Sequence, residues 1–96
     1  MAAYVFFDVV SVHPERMSGY RDKAFASVKA FNGKLVAATS NIDCREGDWR
    51  PVRILMLEFP SMDKAKAWYD SPEYQELLPI RLDANRDRMV IFEGMP

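Results

Sequence analysis

Two acidic residues, Asp8 and Glu58, interrupt otherwise apolar segments and are the first candidates for chemistry in this sequence. An acid surrounded by apolar side chains holds its proton more readily than it does in water, and it can therefore act as a general acid or base. The alternative is that each acid lies near the end of its segment, where it is solvated or paired with Arg53 or Arg88.

The remaining reactive residues do not form a recognisable catalytic or metal-binding motif. His13 is the only histidine and precedes Pro14-Glu15, a context more typical of a surface or helix-capping residue than of a catalyst. Cys44 is the only cysteine, so it cannot form an internal disulfide or build a metal site alone. The GxGxxG, P-loop and GxSxG motifs of dinucleotide, nucleoside triphosphate and hydrolase sites are absent. We therefore predict no metal site and no cofactor.

Four segments have the composition of β-strands, because Val, Phe, Ile and Leu are concentrated in them. The predicted strands are Tyr4–Val12, Lys34–Thr39, Val52–Phe59 and Arg88–Glu93. Between them, apolar residues recur at three- and four-residue steps, which is the spacing of one helix face. The predicted helices run from Pro14 to Phe31, from Ser61 toward Ser71, and from Pro72 toward Asn85 with a break near Pro79.

The order of these elements, βαββαβ, predicts a single α+β domain that spans residues 1–96. Right-handed crossovers convert this order into a ferredoxin-like fold, a four-stranded antiparallel sheet with the helices on one face and the first and third strands in the centre. Asp8 and Glu58 belong to those two central strands, so both acids are expected on the same side of the sheet.

The predicted strands carry more apolar surface than helices on one face can cover. Three of them place Phe, Val, Ile, Leu or Met on both faces, whereas the outer side of a two-layer domain should alternate toward polar residues. An exposed apolar patch of this size is rare on monomers. We therefore expect a homodimer that pairs through its sheet faces, a dimeric α/β barrel. The alternative is a monomer with a somewhat apolar outer face.

Charge and hydropathy argue against several classes of partner. The chain has 13 Lys and Arg against 14 Asp and Glu, and a formal net charge of −1 does not attract nucleic acid or an anionic membrane. No stretch reaches the ~18–20 apolar residues of a membrane span, and the first residues lack the basic flank of a secretory signal. We expect a cytoplasmic protein that binds neither nucleic acid nor membranes.

Three stretches of the sequence are more specific than its topology. They are Tyr20-Arg21, Glu46–Pro51 with Arg53 and Glu58–Ser61 after it, and Ala67–Gln75, which contains Trp-Tyr-Asp-Ser-Pro-Glu-Tyr. Together they resemble the family called domain of unknown function 1330 (DUF1330), which belongs to the dimeric α/β-barrel superfamily. The resemblance covers nearly the whole chain. It implies the ferredoxin-like fold and a dimer with facing sheets, but no established activity.

Members of this superfamily that act without a cofactor place polar residues in the barrel cavity. The resemblance thus implies four site residues, Asp8, Tyr20, Arg53 and Glu58. Either acid would move a proton, Arg53 would hold an anionic group and Tyr20 would donate a hydrogen bond, in a pocket between the sheet and its partner. Trp49 is a further candidate for ligand contact, although aromatic residues more often pack in a core or interface.

Two functional hypotheses follow from the sequence. The first is a cofactor-independent enzyme, or a binding protein close to one, for a small organic acid or aromatic molecule. The second is a non-catalytic dimeric module, in which the apolar sheet face serves only to form the interface.

Overall fold

The four predicted strands form one antiparallel sheet with the helices on one face, so the prediction of an α+β ferredoxin-like fold is confirmed. The structure, a computed structural model, describes residues 1–96. Its elements are β1 (Ala3–Asp8), a short 3-10 helix (Pro14–Met17), α1 (Tyr20–Ala30), β2 (Lys34–Thr39), β3 (Ile54–Phe59), α2 (Met62–Asp70), α3 (Pro72–Ala84) and β4 (Arg88–Glu93). The strand order β2-β3-β1-β4 places β1 and β3 in the centre. None of the helices has the length and apolarity that crossing a membrane requires.

Side chains that alternate along each strand give the sheet two different faces. On β1, Ala3, Val5 and Phe7 point toward the helices and are at most 5% exposed. The side chains between them point away from the helices. We call that side the open face; it carries Tyr4, Phe6 and Asp8 of β1, Ile54, Met56 and Glu58 of β3, and Arg88, Val90 and Phe92 of β4.

The core between helices and sheet is centred on aromatic side chains. Trp68 of α2 and Tyr74 of α3 are fully buried, with ring centroids 4.4 Å apart, and Phe59 of β3 lies 5.4 Å from Trp68. Trp68 Nε1 also donates a 3.0 Å hydrogen bond to Ser27 Oγ of α1. These contacts hold the three helices in fixed positions over the sheet.

The first strand is shorter than the sequence predicts. It ends at Asp8 rather than at Val12, because the following residues leave the sheet and turn toward the end of α3. The amides of Val12 and His13 both donate to Ala84 O, at 3.0 and 2.7 Å. Val9–Val12 therefore connects the sheet to the helix layer.

The first helix begins later than the sequence predicts. The segment after Pro14 forms only a short 3-10 helix, and Gly19, with a φ of 79°, separates it from α1. Glycine adopts this left-handed conformation without a Cβ clash. The break places Tyr20 at the first position of α1.

The predicted helix break near Pro79 is wrong, because α3 continues from Pro72 to Ala84. Proline removes the amide donor that would otherwise bind the carbonyl of Gln75. The helix persists because residues on both sides of Pro79, such as Tyr74 and Arg81, are buried. Tertiary packing outweighs the local preference here.

Candidate functional site

A cavity with a volume of about 600 Å³ lies between the helices and the sheet. Of the 20 residues that line it, 12 are hydrophobic; Phe7 and Leu55 contribute from the sheet, and Phe25 from α1. This volume and lining are typical of sites for small organic ligands. The cavity lies on the opposite side of the sheet from the pocket between subunits that the sequence led us to expect.

The cavity exists because α1 does not pack closely on the sheet. α2 lies against β1, β3 and β4, whereas α1 packs mainly against α3. Two small side chains, Ala24 on α1 and Ala38 on β2, are part of the lining and leave space between the layers. Helix α1 thus forms one wall of the cavity.

A chain of hydrogen bonds joins α1, α3 and the residues before β4. The hydroxyl oxygens of Tyr20 and Tyr74 are 2.6 Å apart, and Arg81 Nε donates to the Tyr74 hydroxyl at 3.1 Å. Arg81 Nη1 and Asn85 Nδ2 both donate to Asp87 Oδ2, each at 3.2 Å. We call these five residues the tyrosine–arginine network. All of them except Tyr74 line the cavity.

Arg81 and Asp87 form a buried ion pair within the network. Their side chains are only 7% and 2% exposed. Asp87 Oδ1 accepts the amide of Val10 at 2.8 Å, so both carboxylate oxygens have partners. The guanidinium group of Arg81 also lies over the ring of Phe7, 5.2 Å from its centroid. Asp87 therefore has a structural role, because both of its carboxylate oxygens already accept hydrogen bonds from other groups of the protein.

The surroundings of the network fix the protonation of two of its members. Burial raises the pKa of the Tyr20 hydroxyl well above its usual value, and the adjacent Tyr74 raises it further. Burial alone lowers the pKa of Arg81, but Tyr74, Tyr20 and Asp87 outweigh that effect, so the net pKa of Arg81 is raised. At neutral pH Tyr20 keeps its proton and Arg81 keeps its charge.

The structure divides the five predicted site residues between the two sides of the sheet. Tyr20 and Arg53 line the cavity on the helix side. Arg53 immediately precedes β3, where its carbonyl accepts the amide of Val9 at 3.0 Å. Asp8, Glu58 and Trp49 lie on the open face and do not line this cavity.

Asp8 and Glu58 share the open face but are too far apart to act on one group. The register of β1 and β3 separates them by four residues, about 13 Å along the strands. Asp8 Oδ2 accepts a 2.9 Å hydrogen bond from Trp49 Nε1. Glu58 Oε2 lies 3.9 Å from Lys34 Nζ, and the two side chains are 31% and 69% exposed. The two acids therefore belong to separate local environments.

Trp49 covers the part of the open face next to Asp8. Its ring packs edge-on against Phe6, with the centroids 5.8 Å apart. Asp8 and Trp49 also border a smaller hollow of about 460 Å³, whose other polar residues are Asp48, Arg50, Arg86 and Arg88. The segment between β2 and β3 thus shields one corner of the sheet.

Four members of the tyrosine–arginine network were missed as site residues in the sequence: Tyr74, Arg81, Asn85 and Asp87. Arg81 follows Tyr74 by seven residues, two helical turns, and both belong to the buried face of α3. A charged residue on an apolar helix face is a signal that could have identified Arg81. Asp87 gave no such signal, because it lies in a short connection and its partner Val10 is 77 residues away.

This protein is a ferredoxin-like α+β domain, because a four-stranded antiparallel sheet is covered by helices on one face. The cavity lies between these two layers. Residues 2–95 match the family described as Domain of unknown function (DUF1330), so the chain belongs to that family. The resemblance found in the sequence is thereby confirmed. No curated protein matches the chain.

Solved structures support the fold. A protein of unknown function from Rhodopseudomonas palustris, RPA0582, is 16% identical with a TM-score of 0.73, over 99% of this chain and 83% of that one. A dimeric ferredoxin-like protein of unknown function from Jannaschia sp. CCS1 is 13% identical with a TM-score of 0.67, over 98% and 100%. A variant of SnoaB, a cofactor-independent oxygenase from Streptomyces nogalater, is 12% identical with a TM-score of 0.63, over 99% and 93%.

Proposed function

We propose that this protein binds a small apolar organic acid, without a cofactor, in the cavity between α1 and the sheet. The observation that carries the proposal is the lining, which is mostly hydrophobic but includes Arg53. Apolar walls favour an aromatic or aliphatic ligand, and the planar donors of arginine suit a carboxylate. Arg53 pairs with the acid group, and Tyr20 donates a hydrogen bond to the same ligand.

The charges along the cavity support an anionic ligand. Three arginines line it, Arg21, Arg53 and Arg81. Arg81 is neutralised by Asp87, whereas neither Arg21 nor Arg53 has an acidic side chain within 4.0 Å. Two unpaired cations and no unpaired acid give the cavity a positive potential.

The same set of residues favours binding over proton abstraction within the cavity. Asp87 is the only acid in the lining, and both of its oxygens accept hydrogen bonds from the protein. Tyr20 keeps its proton, so it acts as a donor. A general base needs an acceptor that is free to take a proton, and these two side chains do not provide one.

Transformation of a ligand on the open face is a second candidate function. Asp8 supports it, because this acid is only 8% exposed and borders the smaller hollow with Trp49. In this proposal Asp8 moves a proton and Trp49 contacts the ligand. Glu58 is a weaker candidate for the same role, because it is more exposed and lies next to Lys34.

We also propose a homodimer in which two open faces pair. Val90 and Phe92 of β4 are 58% and 42% exposed, although they belong to the sheet. Tyr4 stacks on Phe92, with centroids 5.5 Å apart, and extends this apolar surface. A second copy would remove it from water, and a structural neighbour of the same fold is dimeric.

Calorimetric titration with 4-phenylbutanoate tests the proposed binding function. We expect the wild-type protein to bind this acid, and Arg53→Met to weaken binding by about 10-fold, because a partly buried charged hydrogen bond is lost. Arg45→Met is the matched control. Arg45 lies on the exposed segment between β2 and β3, pairs with Asp43 at 3.0 Å and lines neither cavity nor hollow, so its loss should leave the affinity unchanged.

Two results would contradict this proposal. If the wild-type protein does not bind the acid, the non-catalytic dimeric module becomes the better description. If Arg53→Met and Arg45→Met weaken binding equally, the acid is attracted by general charge and not held at Arg53.

A further inference from the structure

Tyr74 connects the buried ion pair to Tyr20, and the position of its hydroxyl proton follows from its neighbours. Tyr74 is 0% exposed, so water does not reach its hydroxyl group. The only polar groups within hydrogen-bond distance are Arg81 Nε at 3.1 Å and the Tyr20 hydroxyl at 2.6 Å. One of these two groups must accept the proton of Tyr74.

Arg81 cannot be that acceptor, because a guanidinium group only donates hydrogen bonds. Arg81 Nε therefore donates to the Tyr74 oxygen, and the Tyr74 proton points to the oxygen of Tyr20. The opposite arrangement, with Tyr20 donating to Tyr74, would leave a buried hydroxyl proton without an acceptor, which folded proteins avoid.

Tyr20 consequently accepts from Tyr74 and has its own proton free. No protein acceptor other than the Tyr74 oxygen lies within hydrogen-bond distance of the Tyr20 hydroxyl, and Tyr20 lines the cavity. We infer that the network holds Tyr20 as a dedicated hydrogen-bond donor to a carbonyl oxygen of the ligand, which makes the ligand an oxo-acid. This inference rests on the proposed binding function and specifies its ligand class.

A carbonyl group fits this donor better than other polar groups. Arg81 is the cation that shares the network with Tyr20, and its charge is already neutralised by Asp87 at 3.2 Å, so it does not pair with a second carboxylate placed at Tyr20. An ammonium group would be repelled by Arg21 and Arg53, and it offers no acceptor. A ketone oxygen accepts the Tyr20 proton and adds no proton that needs a partner of its own.

Arg81 and Tyr74 are positioning residues in this arrangement. Tyr74 does not line the cavity, and it acts only by fixing the direction of the Tyr20 hydroxyl. Without the Tyr74 hydroxyl, Tyr20 loses the donor that orients it, and its proton is no longer directed to a single place. A change at Tyr74 should therefore weaken discrimination between ligands rather than binding of the acid group.

Two matched pairs of acids test the inference, and each pair differs only by a ketone next to the ring. They are 4-oxo-4-phenylbutanoate with 4-phenylbutanoate, and benzoylformate with phenylacetate; the two pairs separate ketone and carboxylate by different lengths. The readout is the ratio of dissociation constants within a pair, measured by calorimetry. We expect the wild-type protein to prefer the oxo-acid of at least one pair by about 5- to 10-fold, the value of one well-placed hydrogen bond.

Tyr20→Phe should bring this ratio to about one, because the donor to the ketone is lost. Tyr74→Phe should lower the ratio about threefold, because Tyr20 is present but no longer oriented. Tyr69→Phe is the matched control. Tyr69 belongs to the same aromatic cluster, 5.7 Å from Tyr74, but does not line the cavity, so the ratio should stay at the wild-type value.

The outcomes separate the inference from the proposed function. If the acids bind but neither pair shows a preference, or if Tyr20→Phe retains it, the oxo-acid inference fails and the binding function stands. If none of the four acids binds, both fail. Circular dichroism checks the fold of Tyr74→Phe, and if that variant is unfolded, Tyr20→Phe alone decides the outcome.

Discussion

The helix side and the open face of the sheet are both rich in apolar side chains, but they differ in how deeply their ion pairs are buried. On the helix side, Arg81 and Asp87 are buried and form an ion pair. Arg81 also donates to the Tyr74 hydroxyl, and Asp87 also accepts the amide of Val10. On the open face, Glu58 and Lys34 form a pair at 3.9 Å whose side chains are 31% and 69% exposed. The first ion pair is buried between the helices and the sheet, and the second is partly exposed at the surface of the sheet.

This difference shows that apolar strands do not reveal by themselves which face contains a site. Val5 faces the helices at 0% exposure and Val90 faces away from them at 58%, yet both are ordinary strand valines. What separates the two faces is the location of the buried ion pair of Arg81 and Asp87, whose groups find hydrogen-bond partners within the chain, although Asn85 Oδ1 of the same network has none. Removing one charged side chain on each side of the sheet tests this difference in burial and pairing.

The largest expected effect is the loss of the buried charge on the helix side. Arg81→Ala should lower the free energy of unfolding by about 3–5 kcal/mol, because it leaves Asp87 buried and unpaired. Urea denaturation followed by circular dichroism measures the change. Lys34→Ala, which removes the open-face pair with Glu58, is the matched control and should cost less than about 1 kcal/mol. Equal losses in the two variants would remove the distinction between the faces.

The next effect concerns pairing through the open face. Val90→Asp should raise the dissociation constant of the homodimer roughly 100-fold, because each of the two copies would place a carboxylate in an apolar interface. Analytical ultracentrifugation across a concentration series measures it. Leu82→Asp is the control, since Leu82 is also 58% exposed but lies on α3 in the helix layer, and dimerisation should be unaffected. A wild-type chain that sediments as an 11.1 kDa particle at micromolar concentration contradicts the proposed dimer.

The smallest effect is the alkaline sensitivity that Tyr20 contributes. Burial raises the pKa of Tyr20 in the folded state, so above the usual tyrosine pKa of about 10 the unfolded chain loses this proton while the folded chain keeps it. The unfolded state then binds fewer protons, and stability falls as pH rises. Between about pH 8 and about pH 11 the wild-type protein should lose about 1 kcal/mol more than Tyr20→Phe. Urea titrations at both pH values measure the difference, and parallel losses would show that Tyr20 is not buried in solution.

Sequence patterns predicted the fold well where the signal is local. Three of the strands follow from the concentration of Val, Ile, Leu and Phe, and β2 has a weaker signal from Leu35 and Val36. Ser61 and Ser71 cap α2 and α3 by accepting the amides of Lys64 and Tyr74. The predictions failed where packing opposes a local rule, as at Pro79, or where one glycine divides a periodic stretch, as at Gly19.

The candidate site was harder to predict than the fold because it depends on contacts between distant segments. Tyr20 and Arg53 were identified, but only from a family resemblance. Arg81 and Asp87 belong to elements that meet Tyr20 and Val10 only after folding, and no spacing in the sequence reports that. The sequence showed an excess of apolar sheet surface, but it could not show that α1 stands far enough from the sheet to leave a cavity.

The hydrogen bond from the Val10 amide to Asp87 has a consequence for the integrity of the whole chain. This hydrogen bond closes a loop between positions that are 77 residues apart. The chain has a single cysteine, Cys44, so no internal disulfide can close that loop instead. The Asp87 carboxylate thus links the segment that follows β1 to the residue that precedes β4. Closing a loop of this length carries an entropic cost, and the pairing of β1 with β4 offsets it together with this hydrogen bond, so both ends of the chain depend on one junction.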